Sequence, residues 1–434
     1  MYLCGAKKYH NGQSYEFTKK LQNIFEIFMR GEFSKAFEAV ELLLPTCVSV
    51  GEFREVELCM RILFVGSLWG LENINQILES RGISSDNLYK HWGNFSRKQI
   101  EDIVNELFMN HIGELLLAKG GKSESTWSRS EISFVGDVSI FMQWLSTAEG
   151  IAGHEYFAKY FSGQRHTTVY GWRVFLLGMV VDGTFYPMYF QIMSKKDCEK
   201  AVAGDLLEKA GDFLKDFQAK HADISFPNLF CGFDSGFHDK LLLGKAELAG
   251  FTPICVAKNN HIIHQKGGKY AINKYISEVF EPAEATAAKN GKDFVLRVRV
   301  YYQSLEREVV MIFFRLNGSK KVSAVYTTDI SLSAKTIRRR WFQRTQIEQF
   351  FRMMKDTLKI QHSKSTDIES FAKKLCVFLF KATFAYRFRN EARKQKGLKN
   401  IAFSKLMFFF VNYDINSNYL DDLLQEIYPK YKYK

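Results

Sequence analysis

Two apolar runs of ten residues, WRVFLLGMVV at 172–181 and TFYPMYFQIM at 184–193, are separated only by Asp182 and Gly183. An Asp-Gly pair between such runs is a strong local signal for a β-hairpin with a two-residue turn. The surrounding pattern is mixed. Before the hairpin, ISFVGD reads as a strand ending at Asp137; after it, DCEKAVAGDLLEKAGDFLKDFQAK reads as an amphipathic helix. NLFCGFD then reads as a buried strand that delivers Asp234 at its C-terminal end, followed by a helix in HDKLLLGKAELAG and a strand in TPICVAK. Strands interleaved with helices in this way set the fold class as α/β.

The flanks differ. Residues 1 to about 118 carry apolar positions at helical spacing, as in FEIFMRGEFSKAFEAVELLL and IEDIVNELFMNHIGELLLAK. The polar segment GGKSESTWSRS then breaks the pattern and predicts a linker. From about 258 to 330 the chain is strand-rich, with FVLRVRVYY, REVVMIFFRL and SAVYTTD, and is expected to form a β insertion. A long helix follows from Ser333, its expected N-cap, and the remainder is helical and basic. The expected organisation is a helical N-terminal domain at 1–125, a central domain at 126–395 containing the insertion, and a basic helical segment at 396–434.

A chain of 434 residues suits two or three domains, and the formal net charge of +13 attracts polyanions. Nucleic acid is the leading partner class. No apolar run approaches the roughly 18 to 20 residues that span a bilayer, so no membrane partner is expected. The start lacks the apolar stretch of a signal peptide, which predicts a cytoplasmic protein. Seven cysteines without a CxxC pair fit reduced thiols, and no zinc module is visible.

The most informative helix runs from Trp341 to Lys355. At about 100° per residue, Ile347, Phe350, Phe351, Met354 and Leu358 form a core-facing stripe. Trp341, Arg344, Glu348, Arg352 and Lys355 share an adjacent arc of roughly 80°. That arc offers a carboxylate flanked by cations and an indole, a face able to hold a metal ion and a phosphate together. Taken alone, the spacing is better read as a surface ion pair between Arg344 and Glu348.

The string Trp341-x2-Arg344-x3-Glu348-x6-Lys355 resembles the Y-x2-R-x3-E-x6-K signature of DDE transposases of the bacterial insertion-sequence-four family. GFDSGFHDKLLLGKAELAGFTPICVAK is similar to the family's element around its second aspartate, and the resemblance covers roughly residues 130–390. It implies an RNase H-like catalytic core in which Asp137, Asp234 and Glu348 are the catalytic, metal-binding carboxylates. It further implies two Mg²⁺ or Mn²⁺ ions, cleavage at transposon ends and strand transfer into target DNA. The implied partners are double-stranded DNA, at terminal inverted repeats and target, and a second copy of the chain; the N-terminal domain would read the repeats. Arg344 and Lys355 would contact phosphates. Two positions depart from the family: Trp341 stands for tyrosine, leaving stacking but no phenol, and Asp329 stands for asparagine and reads as a turn residue.

The aspartates have rivals. Asp234 competes with Asp239, and also reads as an Asx turn or helix cap; Asp137 competes with Asp182, whose hairpin context needs no chemistry. Arg338, Arg339, Arg340 and Arg352 are candidate DNA contacts, as are Lys258, His261, Lys266 and Lys269 in the insertion and the stretch from Arg165 to Arg173. Each also reads as a solvated charge. Two other functions remain open: a nuclease of the same fold without strand transfer, and a non-catalytic DNA-binding protein derived from a transposase.

Overall fold

The computed structural model describes residues 11–43, 59–60, 93–120, 132–142, 154–162, 166–224, 226, 229–288, 294–316, 319–358, 360–362, 365, 367–394, 423 and 426. By contact the chain divides into two compact units, Met1–Leu107 with Met353–Lys434, and Phe108–Arg352. These divisions differ from the boundaries expected near 125 and 395. The helix α2 (Arg97–Gly120) runs through the first division, and its Ile112 and Leu116 belong to the core of the second unit. The expected linker at 121–130 lies outside the described residues, as do nearly all of 396–434.

In the first unit, α1 (Asn11–Leu43) packs against the helix Ile368–Lys394 through aromatic pairs. Phe25 meets Phe388 at 5.8 Å and Phe28 meets Phe384 at 5.1 Å between ring centroids. Arg387 pairs with the nearly buried carboxylate of Glu32. The helix Ile368–Lys394 is buried along most of its length from Phe371 to Phe388, Lys373 and Lys381 included.

The second unit is built on one sheet of eleven strands: β1 (Ile132–Met142), β2 (Phe157–Ser162), β3 (Thr167–Val181), β4 (Thr184–Met193), β5 (Leu229–Phe233), β6 (Phe251–Val256), β7 (Ile262–Gln265), β8 (Gly268–Ala271), β9 (Val295–Tyr302), β10 (Arg307–Arg315) and β11 (Val322–Thr327). The order is β2-β3-β1-β5-β6-β11-β10-β9-β7-β8, with β4 on the same edge of β3 as β2. Only β1–β5 and β5–β6 are parallel; the other pairs are antiparallel. The predicted hairpin is β3–β4, and its turn residues Asp182 and Gly183 have φ of 49° and 76°. Two successive positive φ values are what a turn matching the twist of the strands requires. The strand-rich stretch expected as an insertion extends this same sheet, because Val325 of β11 pairs with Val256 of β6.

Both faces are covered. On one, α3 (Glu199–Lys220) and α4 (Lys240–Leu248) bury Val202, Leu206, Leu214, Leu242 and Ala246 against Phe134, Phe175, Cys231 and Phe251. On the other lie α5 (Ala334–Gln343) and α6 (Thr345–Arg352), with Ile337 and Trp341 against Phe230, Ile254, Val310 and Phe314. The long helix expected from Ser333 is thus interrupted at Arg344. Ser333 is its N-cap, accepting from the Thr336 N–H at 3.1 Å.

Candidate active site

β1 and β5 run side by side in the register Ser133↔Phe230, Phe134↔Cys231, Val135↔Gly232. Two residues further along each strand stand Asp137 and Asp234, so the same register sets the two aspartates opposite each other. Neighbouring strands are about 4.8 Å apart and alternate residues share a face, so both carboxylates leave the sheet on one side. Asp234 keeps an extended backbone (φ −79°, ψ −179°) although β5 has ended. That face carries α5 and α6.

The helices keep step with β5. The Arg340 guanidinium sits 4.5 Å over the Phe230 ring. Arg344 Cβ lies 3.8 Å from where a side chain on Gly232 would begin, which places the helix over β5 at that level. Four helical residues advance about 6 Å and two strand residues about 6.6 Å. One further step brings Glu348 to the level of Asp234. Phe351 packs on Phe141 near the end of β1 and Phe350 on Phe185 near the start of β4, with ring centroids 6.1 and 4.9 Å apart.

Electrostatics agree with this placement. The Asp137 carboxyl is pushed up to about 7, first by burial and then by the neighbouring Asp234 and Glu348 carboxylates. The Arg344 guanidinium and the N–H of Val138, 2.8 Å from Oδ1, pull the other way. Three acids and one arginine therefore act on one another around the middle of β1 and the C-terminal end of β5; β1 runs on to Met142, paired with β3 throughout, and does not end at Asp137 as its apolar run predicts. Glu348 itself, exposed at 43%, forms an ion pair with the largely buried Arg344 at 2.6 Å. Among the described residues, no three His, Cys, Asp or Glu side chains stand close enough to hold a metal ion. The two aspartates leave the sheet on the same side, and Glu348 is turned to its arginine.

Both rival aspartates have structural work. Asp239 caps α4, accepting from the N–H groups of Leu241 and Leu242 at 2.9 and 3.1 Å, and it pairs with Lys200. Asp182 makes the hairpin turn. Asp329 is a turn residue, its Oδ1 accepting from the N–H and hydroxyl of Ser331. Asp234 also caps a turn, since Oδ1 accepts from Gly236 N–H at 2.7 Å, and this occupies one oxygen of the carboxylate.

The basic candidates separate by burial. Arg340 packs in the interior: it is buried and donates to the Ile132 carbonyl at 2.9 Å. Trp341, 7% exposed, packs in the core with its ring 5.4 Å from Phe314. Arg338 lies over the rings of Phe314 and Phe342, while Arg339 and Arg352 are exposed. Lys355 falls in the other unit, on a π-helical turn, Met353–Thr357, that ends the α-helical register. Arg173 is held by the carbonyls of Ser194 and Asp197, and Arg165 lies outside the described residues. In the strand-rich stretch, Lys266 and Lys269 are exposed, Lys258 is half-buried, and His261 is engaged with Tyr302. Spacing on a helix gave no sign of Arg340 and Trp341 as core, because the residues that bury them come from distant strands.

Comparison with known proteins finds distant likeness only. No family model matches the chain, and no curated protein matches it. Among solved structures it is similar to a piggyBac transposase synaptic complex with hairpin DNA, at 10% identity and a TM-score of 0.39, over 94% of this chain and 82% of that one. It is also similar to endonuclease V of Ciona intestinalis in complex with a 23mer DNA containing an inosine, at 14% identity and a TM-score of 0.25, over 53% of this chain and 85% of that one. Scores this low describe remote resemblance and carry no activity with them.

Proposed function

We propose that this chain is a DDE-type transposase whose second unit is an RNase H-like core, cutting DNA at element ends and joining the freed 3′-hydroxyl to target DNA. The observation that carries the reading is the in-register pair of Asp137, midway along β1, and Asp234, just past the end of the parallel strand β5, with Glu348 at the same level on the covering helix. Carboxylates brought together in a half-buried position are costly unless a cation offsets them. The donor set, all hard oxygen, suits Mg²⁺ or Mn²⁺.

Asp137 and Asp234 would hold such ions, with Glu348 joining on release from Arg344. Bound there, the metal would activate an attacking water or 3′-hydroxyl and stabilise the leaving oxygen. The protein's own part is positional. The sheet fixes the aspartates, α6 carries Glu348, and Arg344 offers a guanidinium to a phosphate once its carboxylate partner turns away. Exposed Arg339 and Arg352, on the same pair of helices, would add phosphate contacts. We further propose that the chain acts as a homodimer on paired inverted repeats.

The test is incubation of labelled DNA ends from the sequence flanking the reading frame with supercoiled plasmid and Mg²⁺ or Mn²⁺. Cleaved ends joined to plasmid, lost in Glu348→Gln and Asp234→Asn, are expected. Cleavage without joining would leave a nuclease, and DNA binding with no cleavage in either metal would sink the catalytic reading.

A further inference from the structure

Between β5 and α4 the chain makes one short turn, Ser235–Phe237, capped by Asp234 and followed by His238 and Asp239. A single 3₁₀ turn has too few internal hydrogen bonds to hold its own shape. Its direction must come from side chains that anchor it, and two successive residues do so against different walls. Phe237 is buried 5.4 Å from the Phe233 ring and 5.8 Å from the Phe175 ring. His238, only 6% exposed, points instead toward β9 and β11. Its Nδ1 lies 2.7 Å from the Tyr326 hydroxyl and its Nε2 lies 2.8 Å from Ser304 Oγ.

One anchor would leave the turn free to pivot; a second, directional one removes that freedom. Both ring nitrogens of His238 have hydroxyl partners, and each partner comes from sequence far downstream. The cluster is extended by His261, whose Nδ1 lies 2.9 Å from the Tyr302 hydroxyl and whose ring centroid is 4.5 Å from that of His238. Burial, with His261, Lys258 and Lys200 nearby, lowers the His238 pKa to about 4, so the ring is neutral and can donate from one nitrogen while accepting at the other. A phenylalanine here would bury as much surface but would not fix a rotation.

We propose that His238 is a positioning residue that sets the direction of the Asp234 carboxylate, by tying the turn that Asp234 caps to Tyr326 and Ser304. The inference rests on the reading of Asp234 as a metal ligand. Residues that orient a ligand in this way typically change metal affinity by roughly 10- to 100-fold when removed.

The experiment uses the full chain and three variants, His238→Ala, His238→Asn and Tyr326→Phe. Mn²⁺ affinity is measured by calorimetry, and hydrogen exchange is followed at the Gly236 amide, which Asp234 Oδ1 accepts from. In His238→Ala, Mn²⁺ binding is expected to weaken about tenfold or more, with faster exchange at Gly236. His238→Asn, whose side chain can still reach Tyr326, should recover most of both, which mere loss of packing would not. A folded His238→Ala with wild-type affinity and wild-type exchange overturns the proposal. Should that variant fail to fold, Tyr326→Phe decides: faster Gly236 exchange supports the tie and unchanged exchange refutes it. If wild type binds no Mn²⁺ while His238→Ala still loosens Gly236, the metal reading fails and the positioning of Asp234 stands.

Discussion

Asp137 shows how one side chain can report on a whole site. Its carboxyl is pushed up to about 7 by burial and by two neighbouring acids, whereas in the unfolded chain it titrates near 4. The folded state thus holds this proton more tightly than the unfolded state. Its contribution to stability is fully present below about pH 4 and is lost progressively as pH rises toward 7. Asp137→Asn removes that dependence. Without divalent metal, the variant is expected to melt a few degrees above wild type at pH 8 and level with it at pH 4, in paired thermal scans. Added Mn²⁺ should reverse the order at pH 8, since only wild type gains a ligand that binds the folded state. A variant no more stable than wild type at pH 8 would mean that the carboxylates do not crowd one another.

At the scale of elements, the hairpin β3–β4 connects packing to the site. Gly178 of β3 has no side chain, and a Cβ there would lie 2.5 Å from the Tyr186 carbonyl oxygen and closer still to the Phe185 ring. The space is taken by Phe185, whose ring meets Phe350 of the helix that carries Glu348. Gly178→Ala should therefore cost about 1–3 kcal/mol by overpacking. It should also displace α6, lowering cleavage by more than the loss of folded protein explains. Denaturant melts read beside specific activity per folded molecule would check both, and full activity per folded molecule would separate the hairpin from the site.

Much of this element structure was legible. Asp182-Gly183 announced the hairpin because few residue pairs accept two positive φ values, and NLFCGFD announced β5 because a short apolar run ending in an acid needs a buried strand with an open end. The interruption at Arg344 was hidden, since Arg, Thr and Gln around it all tolerate helix and the apolar stripe runs straight through. The burial of Arg340 and Trp341 was hidden for another reason: it depends on Ile132, Phe230 and Phe314, which no local spacing can reveal. His238 reads locally as the first residue of the helix HDKLLLGKAELAG, whereas its partners lie 66 and 88 positions away.

Over the whole molecule, the excess of 13 positive charges becomes a binding property only where cations reach the surface. Burial sorts the arginines of the covering helices into two classes. Arg352 is exposed one turn beyond Glu348, whereas Arg340 is spent on the Ile132 carbonyl and the Phe230 ring. Each phosphate neutralised adds about −0.9 to the slope of log affinity against log salt. For duplex DNA of arbitrary sequence, Arg352→Ala should therefore weaken binding and make that slope shallower by about one. Arg340→Ala should leave the slope unchanged and instead lower the melting temperature, because it strips a buried cation from its partners. Binding titrations between 50 and 200 mM salt, a range over which six or so phosphate contacts change affinity by about a thousandfold, resolve a difference of one contact. An Arg340 variant with the shallower slope and an Arg352 variant without it would show that the helix presents its opposite face to DNA.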